Sequence, residues 1–379
     1  MTSIALERTT KTVVRRTKFL DHIRLSLTAL VIFHHSAIMF GATGDWYLKI
    51  PTMMAAQKLA FSIFTTTNQT YFMGFFFLLA GYFSVASFNS KGPVSFMWGR
   101  LVRLGIPILV YGYVIGPMTL ALAGVVDEKP FLANWMALMR AGVFEIGPLW
   151  FTWALLLFSF AYVVWRLFVP QAGNGTGYRP SHSHLLIAAV FTGVSAFAIR
   201  LWFPLDKHVW ALQVGYFASY VVLFVGGCAF ARSKWLVNID ADTARPWRIV
   251  SWVAFPLLFI YAIVAGVFKG APFNPMGGLT LPSLAYAIWE PFVAWGIILS
   301  LLYRFGSSDK PSAVWDKWSD CAYAAYILHP PVVVALGVSL ANVHIYNIVR
   351  AVIAGSCAVV LTFLLARLVR KLPGASKIL

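Results

Sequence analysis

The sequence predicts an all-α integral membrane protein with about ten transmembrane helices and both termini in the cytoplasm. Three observations predict it. First, 60% of the 379 residues are hydrophobic and 11% are charged, at a mean hydropathy of +0.75, whereas soluble domains carry about 25% charged residues. Second, ten apolar runs approach the ~20 residues that a span requires. Third, the basic residues fall unevenly on the two sides that those runs would separate.

The runs lie near 20–42, 60–86, 100–124, 148–169, 185–204, 209–231, 248–268, 281–304, 320–341 and 346–369. Polar or Pro/Gly-rich segments divide them, such as QAGNGTGYRPSHSH at 171–184 and NIDADTARP at 238–246. The chain reads as a basic cytoplasmic tail over 1–18, a transmembrane domain over 19–371 and a short cytoplasmic tail over 372–379. No small-residue cleavage site follows the basic start, so the first apolar run is read as a retained span. Alternating ten spans puts 21 lysines and arginines on the side of the N-terminus and 7 on the other, with Arg24 and Arg350 inside spans. That asymmetry places both termini in the cytoplasm. It also accounts for the net charge of +17 without a nucleic-acid partner. Cys228, Cys321 and Cys357 lie in or beside apolar stretches and form no CxxC pair. They read as packing residues, and no metal site is expected.

The first span carries two costly residues. Arg24 and His35 are eleven positions apart, about three turns and ~16 Å along one helix face. His35 falls near the midplane, where ionisable groups usually mark function. A histidine there serves either as a proton-abstracting base or as the polar cap of an interhelical network. Asp21 lies three residues before Arg24 and can pair with it.

In the second span, Gly74 and Gly81 allow close helix approach, and Asn68, Gln69, Thr70 and Tyr71 bring polar groups in. Arg100 and Arg103 share a face at the entry of the third span. They suit bidentate grip on phosphates or contact with anionic lipid headgroups. Trp150, in PLWF at the start of the fourth span, suits either the interfacial belt or a ligand contact. Glu290 sits mid-helix before Pro291, as an acid that is either functional or paired. In the ninth span His329 is again near the midplane. Pro330 and Pro331 should kink the helix, and Tyr323 and Tyr326 can donate toward a cavity. His35, Glu290 and His329 thus lie at similar depth.

Taken in order, LDHIR…FHH around Arg24 and His35, FFFLLAGYF at 75–83, RLVRLGIP at 100–107, PLWF at 148–151 and AYAAYILHPP at 322–331 resemble the acyltransferase-3 family of integral membrane acyltransferases. One departure is Leu25-Ser26-Leu27, where many members have small residues. The resemblance implies a bacterial inner-membrane enzyme. Such an enzyme moves an acyl group from cytoplasmic acyl-CoA to a hydroxyl of a carbohydrate or glycolipid acceptor. Acetyl-CoA is the preferred donor and succinyl-CoA the second. It further implies that His35 is catalytic with Arg24 as motif partner, and that Arg100 and Arg103 bind the donor. Direct transfer and an acyl-histidine route both remain open. A proton-coupled carrier using His35, Glu290 and His329 is the alternative, although no two-half repeat supports it.

Overall fold

The computed structural model describes the backbone of residues 2–52, 54–169, 177–267, 270–307 and 313–379, with side chains from Lys18 on, Ala313 excepted. The side chains of the basic N-terminal tail before Lys18, and the loop lysines Lys269 and Lys310, lie outside the described residues.

Among the described residues the regular secondary structure is helical, apart from one isolated bridge between Val209 and Leu212. The helices are α1 (Thr2–Met39), α2 (Ala55–Arg100), α3 (Ile106–Val110), α4 (Gly116–Ala123), α5 (Phe131–Arg140), α6 (Trp150–Phe168) and α7 (His182–Arg200). They continue with α8 (Phe217–Phe230), α9 (Ala241–Val264), α10 (Leu281–Ser307), α11 (Ala313–Ser319), α12 (Ala322–Leu340), α13 (Asn347–Val369) and α14 (Ala375–Ile378).

Among the described residues, seven helical runs are long and apolar enough to cross a membrane, and Val214–Phe230 is a shorter apolar one. The longest run, Ala55–Asp127, counts 73 residues. Straight, it would reach ~110 Å at 1.5 Å per residue, against a ~30 Å hydrocarbon core. It is broken at Gly92, whose φ of 73° is left-handed, directly before Pro93. This is where a helix is least costly to interrupt.

The chain divides into two compact units. One comprises residues 1–23, 69–90 and 170–316. Within it α10 packs on α9 and α7. Gly193 lets α7 reach Ala287 and Ile288, and Gly296 lets α10 reach Trp247 and Ser251. Gly74 faces Leu223, Gly81 faces the backbone of Phe224 and Cys228, and Gly227 faces Leu78 and Tyr82. The expected small-residue approach therefore occurs between α2 and α8. On a polar edge of this unit, Lys18 Nζ and His22 Nε2 each lie 2.8 Å from the Asp316 carboxylate. These hydrogen bonds hold Asp316 below the usual carboxylate range.

The other unit comprises residues 24–68, 91–169 and 317–379. Its core gathers the second half of α1 with α12 and α13 around Ile32, Met39, Phe40, Val333, Val334 and Ala354. Gly337 accommodates Met39 and Gly355 accommodates Phe33. Close packing here fixes the facing positions of α1 and α12.

Candidate active site

Those positions include two histidines. Pro330 has no N–H, so the carbonyl of Tyr326, four residues earlier, loses its helical donor. The helix continues through Pro330 and Pro331 as α12, and His329 Nδ1 takes the vacated carbonyl at 2.6 Å. A carbonyl only accepts, so Nδ1 of His329 carries the proton and its Nε2 carries the lone pair. His35 Nδ1 lies 2.9 Å from that Nε2 and therefore donates to it. In the neutral dyad both tautomers are thus set by the backbone, and His35 Nε2 is left with a lone pair. His329 is fully buried, whereas His35 is half-buried, so the basic nitrogen belongs to the more accessible ring.

Loop 40–52 folds back over this dyad. Asn347 Nδ2 donates to the carbonyls of Phe40 and Ile50, each at 2.9 Å, and the Ile50 N–H donates to Met39 at 2.7 Å. Tyr47 Oη lies 3.0 Å from Tyr111 Oη and 3.5 Å from Glu145 Oε1, which also accepts from the Gly147 N–H at 2.9 Å. Burial, with Tyr111 and Glu145 beside it, raises the Tyr47 hydroxyl above its ordinary range and keeps it protonated. So anchored, the loop lays Trp46 flat on His35, with ring centroids 4.1 Å apart and planes 13° apart. Sequence reasoning missed Trp46, because GDWYLKI lies in a loop where no periodicity marks a buried face. Pro51 and Thr52 of the loop also border a cavity of about 660 Å³, lined further by Gln57, His344 and Tyr346, among others.

The arginines predicted for the donor also gather in this unit. Arg24 and Arg103 both lie close enough to Arg100 to act on its charge. The helix widens into a π-turn over Leu101–Gly105, a distortion common at functional sites. Pro107 withholds a donor from the Arg103 carbonyl, and Tyr323 Oη donates to it instead at 2.7 Å. Tyr323 is thereby tied beside Arg100 and Arg103, and its hydroxyl does not point to a separate cavity. Tyr326 likewise donates to the Pro148 carbonyl, so its proton is committed to the backbone. Trp150 opens α6 half-buried, edge-on to Phe151.

Other predicted residues go elsewhere. Asn68 is buried, and its Nδ2 has no acceptor among the described residues. In the first unit, Gln69 Nε2 donates to Tyr220 Oη at 3.5 Å and Tyr71 is buried. Asp21 also belongs to that unit. Glu290 is not a lone acid: Arg200 Nη2 donates to its carboxylate. Of the two readings of that acid, functional or paired, the pairing is the one seen. Arg200, one of the seven basic residues counted on the side opposite the termini, is fully buried. Glu290 is the partner of Arg200, in the unit that does not contain the histidine dyad. A buried acid demands a buried base, and that demand was the signal available in the sequence.

A family model described as an acyltransferase domain matches residues 17–367. No curated protein and no solved structure matches the chain.

Proposed function

The chain belongs to the acyltransferase-3 family of acyltransferase domains, and from that premise we propose that this membrane acyltransferase carries acyl groups from acyl-CoA to a carbohydrate or glycolipid hydroxyl, with His35 as general base. The single observation that carries the reading is the tautomer order from the Tyr326 carbonyl through His329 to His35. It presents a lone pair on the more accessible imidazole, which is the property that deprotonation of an attacking hydroxyl requires.

Arg100 and Arg103 receive the donor phosphates, with Arg24 adding to the attractive field. A thioester passing from them toward His35 covers about 16 Å of helix from the level of Arg24. The acceptor enters by the cavity bordered by Gln57, His344 and Tyr346, whose volume of about 660 Å³ lies in the range of ligand sites. Acetyl-CoA is the first candidate donor and succinyl-CoA the second. Ten spans with cytoplasmic termini, in a bacterial inner membrane, fit this arrangement. The 73-residue run supplies two spans, and α1 and Val214–Phe230 complete the seven recorded runs to ten. Removing Arg200 from the loop tally only sharpens the basic asymmetry.

The function is tested with membrane vesicles from cells that make the protein. Acetyl-CoA or succinyl-CoA is expected to lose its acyl group to a glycan of matching added mass. Vesicles that cleave neither thioester would overturn the reading. Donor binding is tested separately by thermal shift of the purified protein with CoA. The double variant Arg100→Ala, Arg103→Ala is expected to weaken CoA at least about tenfold, since hydrogen bonds to charged groups carry ~1.5–3 kcal/mol each. An unchanged CoA titration with intact folding would remove those arginines from the donor site.

A further inference from the structure

Base catalysis handles only the proton. Attack on a thioester also drives negative charge onto the carbonyl oxygen, and that charge needs a donor placed in advance. Three tyrosine hydroxyls of this unit are already engaged. The Tyr326 hydroxyl is spent on Pro148 and the Tyr323 hydroxyl on Arg103. The Tyr47 hydroxyl belongs to the network with Tyr111 and Glu145.

Trp46 is different. Its indole Nε1 is buried and has no acceptor among the described residues. Indole N–H is a donor only, and a buried donor left unmatched costs about 1–3 kcal/mol. The same ring stacks on His35 at 4.1 Å and lies nearly parallel to His329 at 6.0 Å. One stacking distance therefore separates a ring with a lone pair from a ring with an unused N–H. The anchors at Asn347 and Tyr47 hold the loop that carries it, so the donor is preorganised rather than recruited.

We propose that Trp46 is a catalytic residue whose Nε1–H binds the oxyanion formed during acyl transfer. This rests on the acyl-CoA reading above and assigns a second group at the same site. The acceptor oxygen bonds to the thioester carbon while its proton passes to His35 Nε2. The carbonyl π pair moves to oxygen, and the Trp46 Nε1–H donates a hydrogen bond to the resulting oxyanion. The C=O bond then reforms, the C–S bond breaks, and the CoA sulfur leaves with the proton from His35.

Trp46→Phe keeps an aromatic face on His35 and deletes only the donor. CoA release from acetyl-CoA or succinyl-CoA in vesicles is expected to fall about 10²–10³-fold in kcat, the usual loss for one oxyanion donor. KM for acyl-CoA and Tm are expected to stay near wild type. Replacing Trp46 with 3-benzothienylalanine, which keeps the bicycle and puts sulfur in place of N–H, is expected to give the same kcat loss, and it covers the case in which the phenyl ring fails to fold. Wild-type kcat in the benzothienyl variant would overturn the proposal. So would a loss confined to KM. Failure of the acyl-CoA reading would look different: the unaltered protein would itself cleave no thioester.

Discussion

His35→Ala is expected to lower acyl transfer by about 10²–10⁴-fold, the usual worth of a positioned general base, with Tm and CoA binding little changed. His329→Ala should also lower kcat, by less, because His35 then keeps its lone pair but loses the partner that selects the tautomer. The two losses should not add: once the base is gone, the residue that orients it has nothing to orient. A second signature comes from pH. Protonation of His35 Nε2 removes the lone pair, so transfer should fall on acidification in the wild type. The small residual rate of His35→Ala should lose that dependence. Purified protein in liposomes, assayed across pH with acetyl-CoA or succinyl-CoA, measures all of this. Wild-type turnover by His35→Ala would remove the base from the mechanism, whatever the family.

The dyad was legible in the sequence because two regularities survive folding. Helical rise converts residue number into depth, so His35 and His329 could be placed near one level from the lengths of their apolar runs. The His-Pro step at 329–330 held more than was read from it. Proline's missing N–H frees the Tyr326 carbonyl, and that carbonyl decides which imidazole nitrogen is basic. The helix runs through Pro330 and Pro331 with one carbonyl redirected to a side chain.

Other features had no such handle. Trp46 lies in a loop, where burial depends on what the chain folds back upon. Arg200 sits in the last turn of α7 beside LWFP, where a basic residue usually reads as an interfacial charge. Its burial follows from the direction of its side chain toward Glu290, and spacing along one helix carries no such information. Glu290 shared a depth with the histidines, yet depth is one coordinate of three, and its partner is the arginine.

That pairing sets the other large effect. Glu290→Leu should destabilise the protein by about 3–5 kcal/mol, because it leaves a buried guanidinium without its counter-charge. Arg200 has other contacts, but among the described residues none is anionic. Its Nε donates to the Gly215 carbonyl at 3.1 Å, and its guanidinium lies over Tyr216 and Tyr286 at 5.5 and 5.2 Å. Ring faces and a carbonyl are weak substitutes for a carboxylate. Arg200→Met alone should be costly for the converse reason, an anion stranded among tyrosines. The double variant, Arg200→Met with Glu290→Leu, should recover most of the loss, since apolar residues of similar volume often replace a buried ion pair at little net cost. Thermal unfolding in detergent gives the stability of each variant, and the four proteins form a double-mutant cycle. If the pair serves architecture, the recovered double variant transfers acyl groups near the wild-type rate. A double variant that is stable but inactive would instead bring Arg200 and Glu290 into the chemistry. Additive single losses would show that the two charges do not depend on each other at all.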